Sequence, residues 1–475
     1  MWPVGKTSRT VRAVLVCALL ACLTVGSVAL ANSDRDGAHI STGPPAPVVA
    51  RACSQAVLGA LGDVADNVYR EGVSSARTAS ALSMITHSIP LREAIERDEP
   101  RAVRTAAQAL IASGHMTDLI VTSTTTGPGT GPGTSSGTGP VPSPDPGPGT
   151  AGPAKNGNGR VLTDAGPAGA LAPLHGSILG ATGAPIASFV ASVWADEGFL
   201  DETNGIAEGL TVLRAHGHTV AGSLALPTGA LPAAGELTVK GTDYRYTSFA
   251  AGAYPTGNPL RVYLFRSVSS IAPLCAHTPT GTIVNTVSRV ARLIYDGEIG
   301  ASALKQMRRV QHNQPLLRAV AAREPEATRL AIDKLLNEHI VRIRVTVDGQ
   351  LLSDVGGPHV LAPVRAPLRL AGKTIGEVTI SIQDDLGYLL LAQRLAGLRV
   401  VMYADPTPAG STAEPLPGST RPQVVMSSFQ TPPAQIPAAG SLRYRGHDYR
   451  VYTLHAEAFP SGPLRIAVLI PIPYS

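Results

Sequence analysis

The feature that most constrains this chain is an internal duplication, because a repeated unit fixes the architecture before any single element is assigned. The stretch from His339 to Tyr403 alternates as strands do, turns at Asp348-Gly349 and Gly372-Lys373, and ends in an apolar helical run. An interrupted copy of it lies between His115 and Arg214. GRVLTDAG at Gly159 matches GQLLSDVG at Gly349, and LAP at Leu171 matches LAP at Leu361. Trp194 to Phe199 stands where Gln383 to Tyr388 stands, and AAGELTVKGTDYRYTSFAAGAYPTGNPLRV at Ala233 matches AAGSLRYRGHDYRVYTLHAEAFPSGPLRI at Ala438. The helical parts repeat as well. The stripe Val57, Leu61, Val64, Val68 matches Ile283, Val287, Val290, Ile294, and HSIPLREAIERDEP at His87 matches HNQPLLRAVAAREP at His312. So many matches in one order predict two tandem copies of one domain of ordinary size.

The first 31 residues form a separate unit. Lys6, Arg9 and Arg12 precede an apolar run from Ala13 to Ala31 that ends in a small-x-small pattern, the build of a signal peptide. The run is nearly long enough to span a bilayer, so an uncleaved signal anchor is the alternative. Leu19-Leu20-Ala21-Cys22 weakly resembles a lipoprotein box, but the apolar residues after Cys22 argue against it. Three of the chain's five net positive charges sit in this segment, so the remainder is close to neutral and nucleic acid is not an expected partner. The protein is therefore expected outside the cytoplasm, secreted or anchored to the cell membrane. Beyond the leader the cysteines are Cys53 and Cys275, each just before its copy's first helix. An oxidising compartment and adjacent first helices would make them a disulfide pair; separate thiols or inter-chain bridges are the alternative.

The segmentation follows. Residues 32–52 read as a Pro-rich tether, 53–266 as the first copy, 267–282 as a linker and 283–471 as the second copy. In the first copy helices are expected at 54–72, 75–87 and from Asp98-Glu99-Pro100 to about Ser113; in the second, at 283–295, 301–311, 325–338 and 387–396. Residues 124–158 are a Gly/Pro/Thr tract that composition alone would make an interdomain linker. The duplication places it instead at a hairpin tip, where the second copy has the tight Asp348-Gly349 turn. A disordered insertion there is expected to leave the domain closed, since loop-closure entropy rises slowly with length. Residues 405–437, also Pro-rich, read as an irregular, mobile loop.

Helices first, then a strand, a DG(R/Q)(V/L)L turn, LAPVR and a GKxIGxVxxS strand make an order that resembles the Cache-type, PAS-like extracytoplasmic sensor domains. The resemblance rests on HIVRIRVTVDGQLLSDVGG, LAPVR and GKTIGEVTISIQDDLGY, and in the first copy on GRVLTDAG and LAPL. It implies an α+β fold: two tandem PAS/Cache-like domains, each a mainly antiparallel sheet with N-terminal helices, and a small ligand such as an amino acid or carboxylate on one sheet face. It also implies a signalling role, yet the sequence shows no kinase, methyl-accepting or cyclase module, so the chain would act through a partner.

Candidate site residues lie in the second copy. His339, Arg342 and Arg344 alternate and so share one strand face, and Arg365 follows LAPV on a neighbouring strand. Guanidinium forks match carboxylates, so these residues could form an anion pocket. Equally, they could be strand arginines paired with surface acids. Gln383, Asp384 and Asp385 stand between a strand and a helix, either as a ligand contact or as helix caps; Asp196 retains Asp385, which favours a structural role there. The first copy has Asp118, Ile120 and His175 in place of Arg342, Arg344 and Arg365, so it is expected to be the degenerate partner. Metal-spaced Cys/His clusters, HExxH, GxSxG and phosphate-loop motifs are lacking, and neither catalysis nor a cofactor or metal is expected. The function expected is small-ligand sensing, with an anionic or amino-acid-like ligand and a membrane signalling or envelope partner. The alternative is a cell-envelope scaffold that kept the fold and lost the pocket.

Overall fold

The computed structural model describes residues 47–124, 159–167, 169–336, 340–404 and 422–474. Helix α1 (Pro47–Ser74) carries the stripe Val57, Leu61, Val64 and Val68, each almost fully buried. Three shorter helices follow: α2 (Ala76–Thr86), α3 (Ile89–Glu96) and α4 (Pro100–Ala112). Ser75 and Ser88 cap α2 and α3 by accepting backbone N–H bonds from Thr78 and Leu91. Proline sits in the first turn of α3 and α4, where its missing N–H costs nothing. The same succession returns as α7 (Pro279–Ile299), α8 (Ala301–Gln311), α9 (Gln314–Ala321) and α10 (Pro325–Asp333). Helices α3 and α9 were not expected from sequence. Their signal is a capping residue two positions before proline, Ser88-Ile89-Pro90 and Asn313-Gln314-Pro315, inside a segment that reads as a connection.

The α+β class and antiparallel pairing match the sequence reading, and each copy holds two sheets. In the first copy, β1 (Asp118–Ser123), β2 (Val161–Ala165), β4 (Leu174–Leu179) and β5 (Pro185–Ser192) form a sheet in the order β2-β1-β5-β4. Helices α2–α4 cover it, packing Ile85, Leu91 and Val103 with Leu119, Val121 and Phe189. The second sheet runs β6 (Trp194–Ala195), β3 (Ala170–Leu171), β10 (Thr242–Ala253), β11 (Asn258–Ser267), β7 (Leu210–Ala215), β8 (His218–Gly222), with β9 (Ala234–Val239) also paired to β10. Helix α5 (Asp196–Ala207) joins β6 to β7 within this second sheet. The second copy repeats this with β12 (Arg342–Val347), β13 (Gln350–Gly356), β14 (Val364–Leu370) and β15 (Lys373–Ser381), ordered β13-β12-β15-β14. Helix α11 (Asp385–Ala396) then leads to β16 (Arg399–Ala404), β17 (Gln423–Ser427), β18 (Ala439–Tyr444), β19 (His447–Glu457) and β20 (Pro463–Ile472), ordered β17-β16-β20-β19-β18.

Two boundaries differ from expectation. The segment between the copies is largely helical, with α6 (Val268–Ile271), a 3-10 turn and the start of α7. Gln423–Ser427 is a strand because β16 has a free edge that it pairs with; residues 405–421 lie outside the described residues. The tract 125–158 also lies outside them, but the strands flanking it pair: Ser123 N–H donates to Arg160 O at 2.9 Å, and Thr122 stands opposite Val161.

Small devices repeat along with the elements. Ser192 Oγ donates to Leu171 O at 2.5 Å, and Ser381 Oγ donates to Leu361 O at 2.7 Å, each pinning the LAP segment to the strand before the connecting helix. Tyr69 meets Phe199 edge-on at 6.3 Å, and Tyr295 meets Tyr388 edge-on at 6.5 Å. The hydroxyl of Tyr69 accepts the N–H of Gly252 at 2.8 Å. The turn between the third and fourth helix also grips the first hairpin in both copies, by Asp98–Arg160 in one and Arg323–Asp348 in the other, with the charges exchanged.

The two copies share one apolar core. It runs from Val57, Leu61 and Val64 on α1 through Val287, Val290 and Ile294 on α7 to Phe199 on α5 and Tyr388 on α11. Burial of such side chains contributes roughly 1.5–3 kcal/mol each, so this seam dominates cohesion between the copies. Polar links reinforce it: Asn67 Nδ2 donates to Leu395 O at 3.1 Å, Arg394 pairs with Glu71 at 3.1 Å, and Arg289 pairs with Glu208. Cys53 and Cys275 are joined by a disulfide with Cα atoms 5.5 Å apart, tying the starts of the two long helices together.

Candidate functional site

The sequence candidates of the second copy lie where its two sheets approach each other. On β12, Arg342 and Arg344 face the adjacent strand β13, and Asp354 stands directly opposite Arg344. Arg342 forks onto that carboxylate, Nε to Oδ1 at 2.9 Å and Nη2 to Oδ2 at 2.8 Å, and its Nη1 donates to His359 O at 3.1 Å. Its guanidinium lies 4.5 Å from the ring centre of Phe459, a cation–π contact. Arg344 Nη1 is 3.6 Å from the same Asp354. Arg365 is held by Glu457 and donates to Pro460 O at 2.6 Å. All three guanidinium groups thus meet carboxylates of the same chain. Asp354 is too near in sequence, and Glu457 too far, for either pairing to be read from strand alternation.

Of the two acids, one caps the helix and the other latches the LAP segment. Asp384 is the N-cap of α11 and accepts the N–H of Gly387. Asp385 is buried, and its two oxygens accept the Val360 N–H at 3.0 and 3.2 Å, which holds the LAP segment against the helix start. Burial pushes its carboxyl up from the ordinary carboxylate range, against the pull of these N–H donors. The carbonyl of Gln383 accepts the Ser381 hydroxyl at 3.1 Å. His339 lies outside the described residues.

The matching place in the first copy is a cavity of about 610 Å³ between its two sheets. Asp118, Ile120 and Asp164 reach it from the first sheet, Leu213 and Leu260 from the second, and Asp196 from the start of α5. Asp118 stands in the chain position of Arg342, Asp164 in that of Asp354, Asp196 in that of Asp385 and Tyr254 in that of Phe459. Asp118 is 4% exposed, and its Oδ2 has no hydrogen-bond partner among the described residues. Desolvation, opposed by the Thr117 hydroxyl and aided by Asp164 and Asp196, pushes its carboxyl up to about 6. Burial likewise raises Asp196. Tyr254, raised by burial and then by Asp118 and Asp164, keeps its proton and donates to Val190 O at 3.2 Å. Gly166 is required beside this cluster: its φ is +133°, and a Cβ there would come within 2.3 Å of Asp118 Oδ1.

Sequence reasoning set these first-copy residues aside as degenerate. The signal that points to them is the pair of columns 118/342 and 164/354: acid beside acid in one copy, base beside acid in the other. Among the described residues no three acidic, imidazole or thiol groups converge as metal ligands do, and no helix is long and apolar enough to cross a membrane.

No protein-family model matches the chain, and no curated protein matches it. Among solved structures it is similar to the periplasmic domain of Vibrio cholerae LuxQ, at 14% identity and a TM-score of 0.27, over 39% of this chain and 98% of that one.

Proposed function

We propose that this protein is an extracytoplasmic small-ligand-binding module with PAS-like domains, and that the ligand enters the cavity of the first copy. One observation carries this reading: a cavity of ligand size between two sheets, lined by the buried residue Asp118, whose carboxylate has one oxygen without a hydrogen-bond partner among the described residues. Native interiors rarely leave such an oxygen unsatisfied, and the exceptions concentrate at functional sites. The Cys53–Cys275 disulfide fits an oxidising compartment outside the cytoplasm. On this reading the chain binds rather than catalyses, and a membrane or envelope partner transmits the signal. The second copy is the structural half, because its arginines are already matched by Asp354 and Glu457. That pairing is also what favours the scaffold alternative for the second copy taken by itself.

The test is thermal-shift screening of the folded chain against small metabolites of every charge class, followed by calorimetry. A saturable ligand whose binding is lost in Ala215→Phe, which fills the cavity wall, is the expected result. Absence of any ligand, or binding indifferent to Ala215→Phe, would overturn the assignment.

A further inference from the structure

We propose that the first-copy cavity takes the ammonium or guanidinium group of a small organic cation, in the place that Arg342 fills in the second copy. This rests on the ligand-binding reading above and names the class of ligand.

The second copy displays the receptor with its cation in place. A guanidinium is forked by Asp354, bonded by the His359 carbonyl and stacked over Phe459. The first copy keeps the receptor. Asp164 stands for Asp354 and Tyr254 supplies the aromatic ring, while the arginine has become a second acid, Asp118. Truncating the arginine to a small apolar residue would leave a neutral hollow. Replacing it with a buried carboxylate leaves negative charge on both sides of the gap and no basic residue among the cavity's lining. Leaving a buried charge without a counterion is strongly unfavourable, and a cation supplied from outside offsets it.

The shape narrows the class further. Described acidic groups do not converge as metal ligands do, which argues against a bare divalent ion. Apolar side chains of Leu213, Val220 and Leu260 line the same space, so a hydrocarbon stem can lie against them while the charged head meets Asp118, Asp164 and Asp196.

Isothermal titration of the full chain with methylguanidine, butylamine and putrescine tests this, alongside acetate and glutarate, glucose, and calcium chloride. The expected result is saturable binding of at least one organic cation. Asp118→Asn should weaken it tenfold or more, and so should Asp164→Asn, at an exposed position where the substitution leaves folding intact. Asp118→Arg should abolish it, because the chain then carries its own cation as the second copy does. If acetate, glutarate or glucose binds instead, is lost in Ala215→Phe and is indifferent to Asp118→Asn, the cation assignment fails while the ligand-binding reading stands. Calcium binding with the same dependence on Asp118 sinks the organic cation. Binding by none of these probes, with none found in the wider screen, sinks both.

Discussion

At one place in the fold the two copies differ in charge: Arg342, Arg344 and Arg365 in the second stand where the first has Asp118, Ile120 and His175. Where β12 offers Arg342 to Asp354, β1 offers Asp118 to Asp164. The surrounding framework is conserved between the halves: the serine latch on LAP, the tyrosine edge contact, the helix-turn ion pair. The lesson is that a duplicated framework can answer its buried charges internally in one half and leave a buried acid with an unmatched oxygen in the other, through a few side-chain exchanges on a shared scaffold. The closed half then shows what the open half lacks.

The comparison requires both halves to stay in one body, and the largest effect expected is on that union. Cys53→Ser with Cys275→Ser removes a crosslink spanning 222 residues of sequence, for which chain entropy gives about 5 kcal/mol as an upper figure. Denaturant unfolding of oxidised wild type against the double variant measures it; equal midpoints would mean that the apolar seam alone joins the copies. Next is Arg342→Ala. It leaves Asp354 only its longer 3.6 Å contact with Arg344 and uncovers Phe459, so a loss of about 2–4 kcal/mol is expected. Millimolar methylguanidine should restore part of that loss in Arg342→Ala and none in wild-type second-copy unfolding. No rescue would break the equivalence between an arginine and a bound cation.

Asp118→Asn should act in the opposite direction. A carboxyl raised from 3.8 to about 6 in the folded state favours folding fully below its unfolded value and loses that contribution as pH rises through about 6. The ligand-free wild type should therefore lose roughly 3 kcal/mol relative to Asp118→Asn on going from acid to neutral pH. Melting curves of both proteins across that range check the sign; parallel curves would show that Asp118 is not strained by burial. The smallest effect is a control. Ser192→Ala and Ser381→Ala each leave a buried carbonyl without its donor and should each cost about 1–2 kcal/mol. Similar losses at these two serines, set beside opposite effects at 118 and 342, would sharpen the division between shared framework and divergent site.

Much of the fold was legible because it depends on period and order. The stripe on α1 and its match on α7, the capping residues, the Asp348-Gly349 turn and the repeated blocks are local patterns. Helices α3 and α9 escaped because eight residues give too few periods to stand out, although their caps were present. The candidate site was legible only as a list of polar residues. Arg365 could be seen, but its partner Glu457 is 92 residues away. Asp118 could be seen to differ from Arg342, but the difference looked like decay.

The amino-acid order by itself determined the duplication, the α+β class, the antiparallel hairpins and the equivalence of Cys53 with Cys275, since each follows from local spacing and from one half matching the other. Tertiary structure decided that each copy has two sheets, that one apolar seam joins the copies, and which charges are answered. The physical reason is that the cost of a charge depends on its neighbours and its access to water. Those are set by strands brought together from distant parts of the chain, so one strand position holds a paired arginine, Arg342, in one half and a buried acid with an unmatched oxygen, Asp118, in the other.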